Sequence, residues 1–254
     1  MKLHYREYGA GRPLIILHGL FGSGDNWHTI ALRLQDRFHV FAPDLRNHGA
    51  SPHSDIFTVS VMAEDAAELI GEVGQGAAHV AGHSLGGKVA MELALSRPDL
   101  VERLVVVDIA PKGYPPHHAD LRDAMLSLDF AAVHSRRDAE RLLSERIADN
   151  RVVLFLLKNL AHDGDGRYRW KLNLAAISAG LPKTGEAIQA GRTFSGPTLF
   201  LTGANSGYVD PERDRPQILS LFPNASIRSI AGAGHWLHAE RPDEVVAALS
   251  EFLK

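Results

Sequence analysis

The sequence predicts an α/β fold with a mostly parallel central sheet flanked by helices. Three observations predict it. Short aliphatic runs alternate with helix-period segments over the first two-fifths of the chain, the same rhythm resumes from residue 197, and the stretch between holds helical patterns only. A chain of 254 residues, 45% hydrophobic and 22% charged, is long and apolar enough for a full core, which excludes a disordered chain, a collagen or a coiled coil.

In chain order, residues 14–17, 39–42, 79–81 and 104–107 read as buried strands. Between them, Met62, Ala66, Leu69, Ile70 and Val73 recur at helical spacing, as do Leu85, Val89 and Leu93. At the far end, 197–201 and 226–230 read as strands around a short helix at 216–222. Pro242 then opens a last helix that turns Val245, Val246, Leu249, Phe252 and Leu253 inward. The middle, residues 112–185, reads as four helices at 120–128, 138–148, 152–160 and 172–177, with no strand. The expected organisation is a core of residues 1–111 and 186–254 with 112–185 inserted as a helical cap or lid, since inserts at a sheet's carboxyl edge cover the ligand crevice there.

Composition narrows the function. Lys plus Arg number 27 against 30 Asp plus Glu, a net charge of −3 with no basic run, which argues against a nucleic-acid partner. There is no cysteine, so disulfides, thiolate zinc sites, iron–sulfur clusters and a Cys nucleophile are excluded. The first residues lack the apolar core of a leader peptide, and no apolar run approaches the roughly 20 residues of a membrane span, so a cytoplasmic protein without a membrane partner is expected.

Gly82-His83-Ser84-Leu85-Gly86 is a G-x-S-x-G set directly between a strand and a helix. A turn that tight strains its central residue, needs flanking glycines, and lifts the Ser84 hydroxyl over a helix N-terminus, where developing negative charge is favoured. The competing reading is that Ser84 only caps the helix. Of 14 histidines, His235 stands out, because it follows the strand 226–230 through a glycine-rich loop and precedes the last helix, a position from which imidazole can take and return the Ser84 proton. His235 and His238 share helical spacing but have no third ligand at metal-binding distance in sequence, so no metal and no cofactor is expected.

An acid to hold His235 has two candidates. After the strand 197–201 the chain reads Gly203-Ala204-Asn205-Ser206, and a serine cannot balance imidazolium charge. That leaves Asp210, or Asp108 at the carboxyl end of the strand 104–107. An acyl-transfer oxyanion also needs two backbone donors, and Leu85 N–H is one by position. The other belongs to the loop His18-Gly19-Leu20-Phe21-Gly22-Ser23, which lacks the spacing of a nucleotide-binding loop. Asp44-Leu45-Arg46-Asn47-His48-Gly49 reads as a structural loop in which Asp44 and Arg46 orient backbone.

These motifs, with Val107-Asp108-Ile109-Ala110-Pro111 and Ala233-Gly234-His235-Trp236-Leu237-His238-Ala239-Glu240, resemble the α/β-hydrolase fold over nearly the whole chain, and within it the YbfF-type esterases. The resemblance implies Ser84, Asp108 and His235 as the catalytic residues and Leu20 with Leu85 as the oxyanion donors. Asp210 stays the alternative acid and Phe21 the adjacent alternative donor. The implied activity is hydrolysis of short to medium carboxylic esters or thioesters through an acyl-enzyme, with Phe21 and Trp236 lining an apolar acyl pocket. Carbon–carbon bond hydrolases, perhydrolases and slow ligand receptors of the fold share these residues. The substrate partner is a small molecule, and both monomer and homodimer stay open.

Overall fold

Buried strand residues that alternate between two apolar faces build the centre of the molecule. A computed structural model describes residues 1–73, 76–115 and 118–254. The chain runs β1 (Tyr5–Tyr8), β2 (Arg12–Leu17), α1 (His28–Leu34), β3 (Phe38–Pro43), α2 (Val59–Glu72), β4 (Ala78–His83), α3 (Leu85–Ser96) and β5 (Val101–Val107). It continues through α4 (Ala119–Leu126), α5 (Arg136–Ser144), α6 (Asn150–Leu156), β6 (Leu160–His162), β7 (Tyr168–Trp170) and α7 (Leu174–Gly185). It ends with β8 (Thr198–Gly203), α8 (Arg215–Leu221), β9 (Ala225–Ile230), α9 (Leu237–Glu240) and α10 (Pro242–Phe252).

The main sheet has the order β1-β3-β2-β4-β5-β8-β9, parallel except for β1, which pairs antiparallel with β3. Ile15 and Leu17 of β2 enter one apolar layer with Val80, Val89 and Val106, whereas Leu14 and Ile16 enter the opposite layer with Ala81, Val105 and Leu249. Strands buried on both faces in this way read as unbroken aliphatic runs, which is why β2, β4, β5 and β8 were legible. Parallel pairing also brings the carboxyl ends of β2, β4, β5, β8 and β9 to one edge, the place where this class of sheet binds ligands.

The antiparallel edge strand β1 and helix α1 are absent from the sequence prediction; β1 is short and mostly exposed, so it has no strong apolar period. The inserted stretch differs more. Residues 116 and 117 of the predicted 112–185 insertion lie outside the described residues. A helix predicted to run to residue 160 ends at Leu156 and gives way, after a single tight turn, to the β6–β7 hairpin in a stretch expected to hold no strand. Asn159 makes that break: its buried amide donates to Phe21 O (2.8 Å) and Leu156 O (3.2 Å) instead of facing solvent on a helix. Conversely, the helix expected at 172–177 runs on, as α7, to Gly185 through Gly180 and Pro182. Gly180 is there for contact, since a Cβ would stand 2.2 Å from Phe57 O.

Candidate active site

Local backbone geometry at the end of β4 leaves a serine hydroxyl free. Ser84 has φ 52° and ψ −116°, a left-handed conformation rarely adopted by a non-glycine residue, and it is held by Ser84 N donating to Val107 O (3.0 Å). The turn closes only because Gly82 and Gly86 lack side chains: a Cβ on Gly82 would stand 2.1 Å from Gly86 O, and one on Gly86 2.5 Å from Leu17 O. Ser84 occupies the N-cap position of α3 but makes no side-chain capping bond, so the helix-cap reading does not account for it.

Asp108, fully buried at the end of β5 with φ 52°, is pinned by its own N–H to Leu201 O (2.9 Å). Its Oδ2 lies 2.8 Å from His235 Nδ1, and its Oδ1 accepts from Gly203 N (2.9 Å). Ser206 follows β8, and its hydroxyl donates to Asp108 Oδ2, so the serine supports a carboxylate delivered by the neighbouring strand. Asp210 lies apart: it is exposed, and its Oδ1 accepts from Glu212 N (3.1 Å) and Arg213 N (3.0 Å) within its own turn. His235 stacks on Tyr208, with ring centroids 3.8 Å apart at 13°. The loop that carries it is fastened by His83 Nε2 donating to His235 O (2.8 Å), by Gly234 N to Glu240 (2.7 Å) and by Asn205 N to Ala233 O (2.8 Å).

On the other side of Ser84, two buried histidines shape the loop after β2. His18 Nε2 accepts from Leu45 N (2.9 Å) while its Nδ1 donates to Gly19 O (2.8 Å). His48 Nε2 accepts from Phe21 N (3.2 Å) while its Nδ1 donates to Arg46 O (2.9 Å). Burial pushes both imidazoles down, His48 to about 3, so they stay neutral. Because Phe21 N–H is occupied by His48, Phe21 is not a free donor. Leu20 and Leu85 N–H have no acceptor among the described residues. Asp44 orients backbone as expected, accepting from Gly24 N (2.8 Å) and Ala50 N (2.9 Å). Arg46 does not pair with it; the guanidinium grips Asp65 in a buried two-pronged bond of 2.6 and 2.7 Å.

Ser84 opens into two pockets. One is lined by Leu20, Leu85, Lys88, Ile109, Tyr114 and Leu181, among others, and the other by Phe21, Trp27, Phe155, His235 and Trp236. Leu20, Ser84 and His118 border both. His238 stacks on Trp27 at 4.6 Å, and burial pushes it down to about 3. Among the described residues no group of three or more His, Asp or Glu is placed to hold a metal ion. None of their helices is long and apolar enough to cross a membrane.

Residues 12–242 match the family described as alpha/beta hydrolase fold. The chain belongs to the α/β-hydrolase family. Within that family it is 34% identical to Esterase YbfF of Escherichia coli (strain K12), over 100% of this chain and 99% of that one. It is 42% identical to the sn-1-specific diacylglycerol lipase ABHD11 of Danio rerio over 97% of this chain and 80% of that protein. A solved structure titled marine microorganism esterase superposes with a TM-score of 0.96 at 41% identity, covering 99% of both chains. This α/β hydrolase therefore stands near the YbfF-type esterases.

Three residues of the site escaped sequence reasoning. Ser206 was weighed only as a missing acid. In the sequence His48 falls within a structural loop with no role of its own, and His83 is only the variable position of G-x-S-x-G. Each acts through a partner distant in sequence, 98, 27 and 152 residues away, and that is invisible in a local motif.

Proposed function

We propose that this carboxylic ester hydrolase works through Ser84 as nucleophile, His235 as general base and acid, and Asp108 as the carboxylate that orients His235. The 2.8 Å contact between His235 Nδ1 and Asp108 Oδ2, beside a strained serine bordering the same pocket as His235, carries this reading. With Nδ1–H committed to Asp108, the His235 tautomer leaves Nε2 free to accept a proton. Ser84 Oγ attacks the acyl carbon as its proton passes to His235. The oxyanion meets Leu20 N–H and Leu85 N–H, the second standing at the N-terminus of α3 where the helix dipole adds to the attraction. The leaving oxygen or sulfur departs with the proton, and water activated by His235 then releases the acid.

Residues 112–185 serve as the cap in this reading, because Tyr114, Leu121, Phe155, Leu181 and Thr184 supply walls of both pockets. The substrate class is a small carboxylic ester or thioester. Steady-state hydrolysis of p-nitrophenyl esters from acetate to palmitate, with Ser84→Ala in parallel, tests it. Turnover abolished in the variant is the expected result, and equal turnover by both proteins refutes the serine mechanism.

A further inference from the structure

The two pockets that meet at Ser84 end differently. The Lys88 side is a small space of about 60 Å³. Its far end is bolted. Lys88, one helical turn beyond Ser84 and only 3% exposed, donates from Nζ to Gly185 O (3.1 Å) and Glu186 O, and Tyr114 N also donates to Gly185 O (2.8 Å). A long chain entering here would have to break an ammonium away from the carbonyls that end α7. The His235 side is itself small, about 40 Å³. It shares Asn26, Phe155, Trp236 and His238 with a surface groove of about 390 Å³ that continues past Leu154 and Ala239.

Proton bookkeeping orients the substrate between them. As the Ser84 Oγ–carbon bond forms and the bond from carbon to the leaving oxygen breaks, the proton taken by His235 must reach that leaving oxygen, which therefore lies on the His235 side. His235 and Trp236 line the second pocket; Lys88 and Leu181 line the first. We propose that the Lys88 pocket receives the acyl group and the Trp236 pocket with its groove receives the leaving group, so that the enzyme selects short acyl groups carried on bulky apolar alcohols. The assignment rests on the Ser84–His235–Asp108 reading. It moves Phe21 and Trp236, expected to line an acyl pocket, to the alcohol side. Leu181 and Lys88 become the residues that limit acyl length.

A two-way substrate matrix tests the assignment: p-nitrophenyl acetate, butyrate and octanoate for acyl length, and methyl against 2-naphthyl acetate for the leaving group, each read as kcat/KM. The wild type should lose at least about ten-fold from butyrate to octanoate, and Leu181→Ala should recover most of that loss without moving the naphthyl-to-methyl ratio. Trp236→Ala should lower the naphthyl-to-methyl ratio about ten-fold and leave the acyl-length ratio in place. Octanoate hydrolysed as well as butyrate by the wild type overturns the proposal, as does a crossed pattern in which Trp236→Ala changes acyl length and Leu181→Ala the leaving group. Ratios taken within one protein are insensitive to partial unfolding, and the wild-type length dependence decides even if a variant does not fold. Failure of the underlying mechanism is told apart by Ser84→Ala, whose undiminished activity would refute the triad whatever the ratios show.

Discussion

The loop after β2 and the loop after β9 each carry a histidine, and the two are held in opposite ways. On the β2 side, His18 and the neighbouring His48 have both ring nitrogens committed to backbone groups and are held neutral by burial. They act as fixed spacers, each joining two loops through one donor and one acceptor. On the β9 side, His235 has one nitrogen on a buried carboxylate and borders the pocket that Ser84 also lines. Two backbone partners in a dry site require the neutral imidazole of His18 and His48. The partners, not the residue type, set these two histidine environments apart.

The sharpest break of this comparison removes the proposed nucleophile. Ser84→Ala should lower kcat for p-nitrophenyl butyrate by about 10⁶-fold with the melting temperature nearly unchanged, and a small loss would mean that another nucleophile acts. Next comes the carboxylate. Asp108→Asn should lower kcat about 10⁴-fold by fixing the wrong tautomer, while Asp210→Asn stays within about two-fold; equal losses would return the acid to Asp210.

The spacer histidines should give a smaller and different response. His48→Ala leaves the buried Phe21 N–H without a partner and should destabilise the fold by about 1–3 kcal/mol in urea unfolding. It should also reduce kcat, because the adjacent Leu20 N–H is no longer held in place. His48→Gln, which can still accept from Phe21 N–H, should restore part of both; no rescue would argue against the spacer role.

The smallest effect is a pH dependence of stability. In the folded chain His48 is pushed from 6.5 to about 3, so below pH 6.5 the unfolded chain binds a proton that the folded chain refuses. Its contribution is therefore fully present above pH 6.5 and lost as pH falls toward 3. His238, also lowered to about 3, adds a contribution of the same sign. The urea midpoint should drop across that window, and His48→Gln should flatten the slope; a slope unchanged in the variant would mean that His48 does not carry it.

Much of this was legible before any coordinates. Ser84 and His235 announce themselves because each sits in a local pattern, a glycine-flanked turn and a glycine-rich loop, that its own short segment specifies. The parallel strands were legible because burial on both faces leaves aliphatic runs. The β6–β7 hairpin was not, because strands of three residues carry too few alternations to register against a helical background. Asn159 shows the same limit, since it breaks a helix through a bond to Phe21, 138 residues away.

The sequence by itself determined the fold class, the glycine-flanked turn at Ser84 and the glycine-rich loop that carries His235, since these follow from spacing within a few residues. Only the tertiary structure decided that Asp108 rather than Asp210 reaches His235, that Ser206 supports that carboxylate, that His48 occupies Phe21 N–H, and that Trp236 lines one pocket with His235. Each of these is a bond or a boundary between segments far apart in the chain. Hydrogen bonds act over about 3 Å, and which distant atoms come that close is settled by packing the sheet, not by any local pattern.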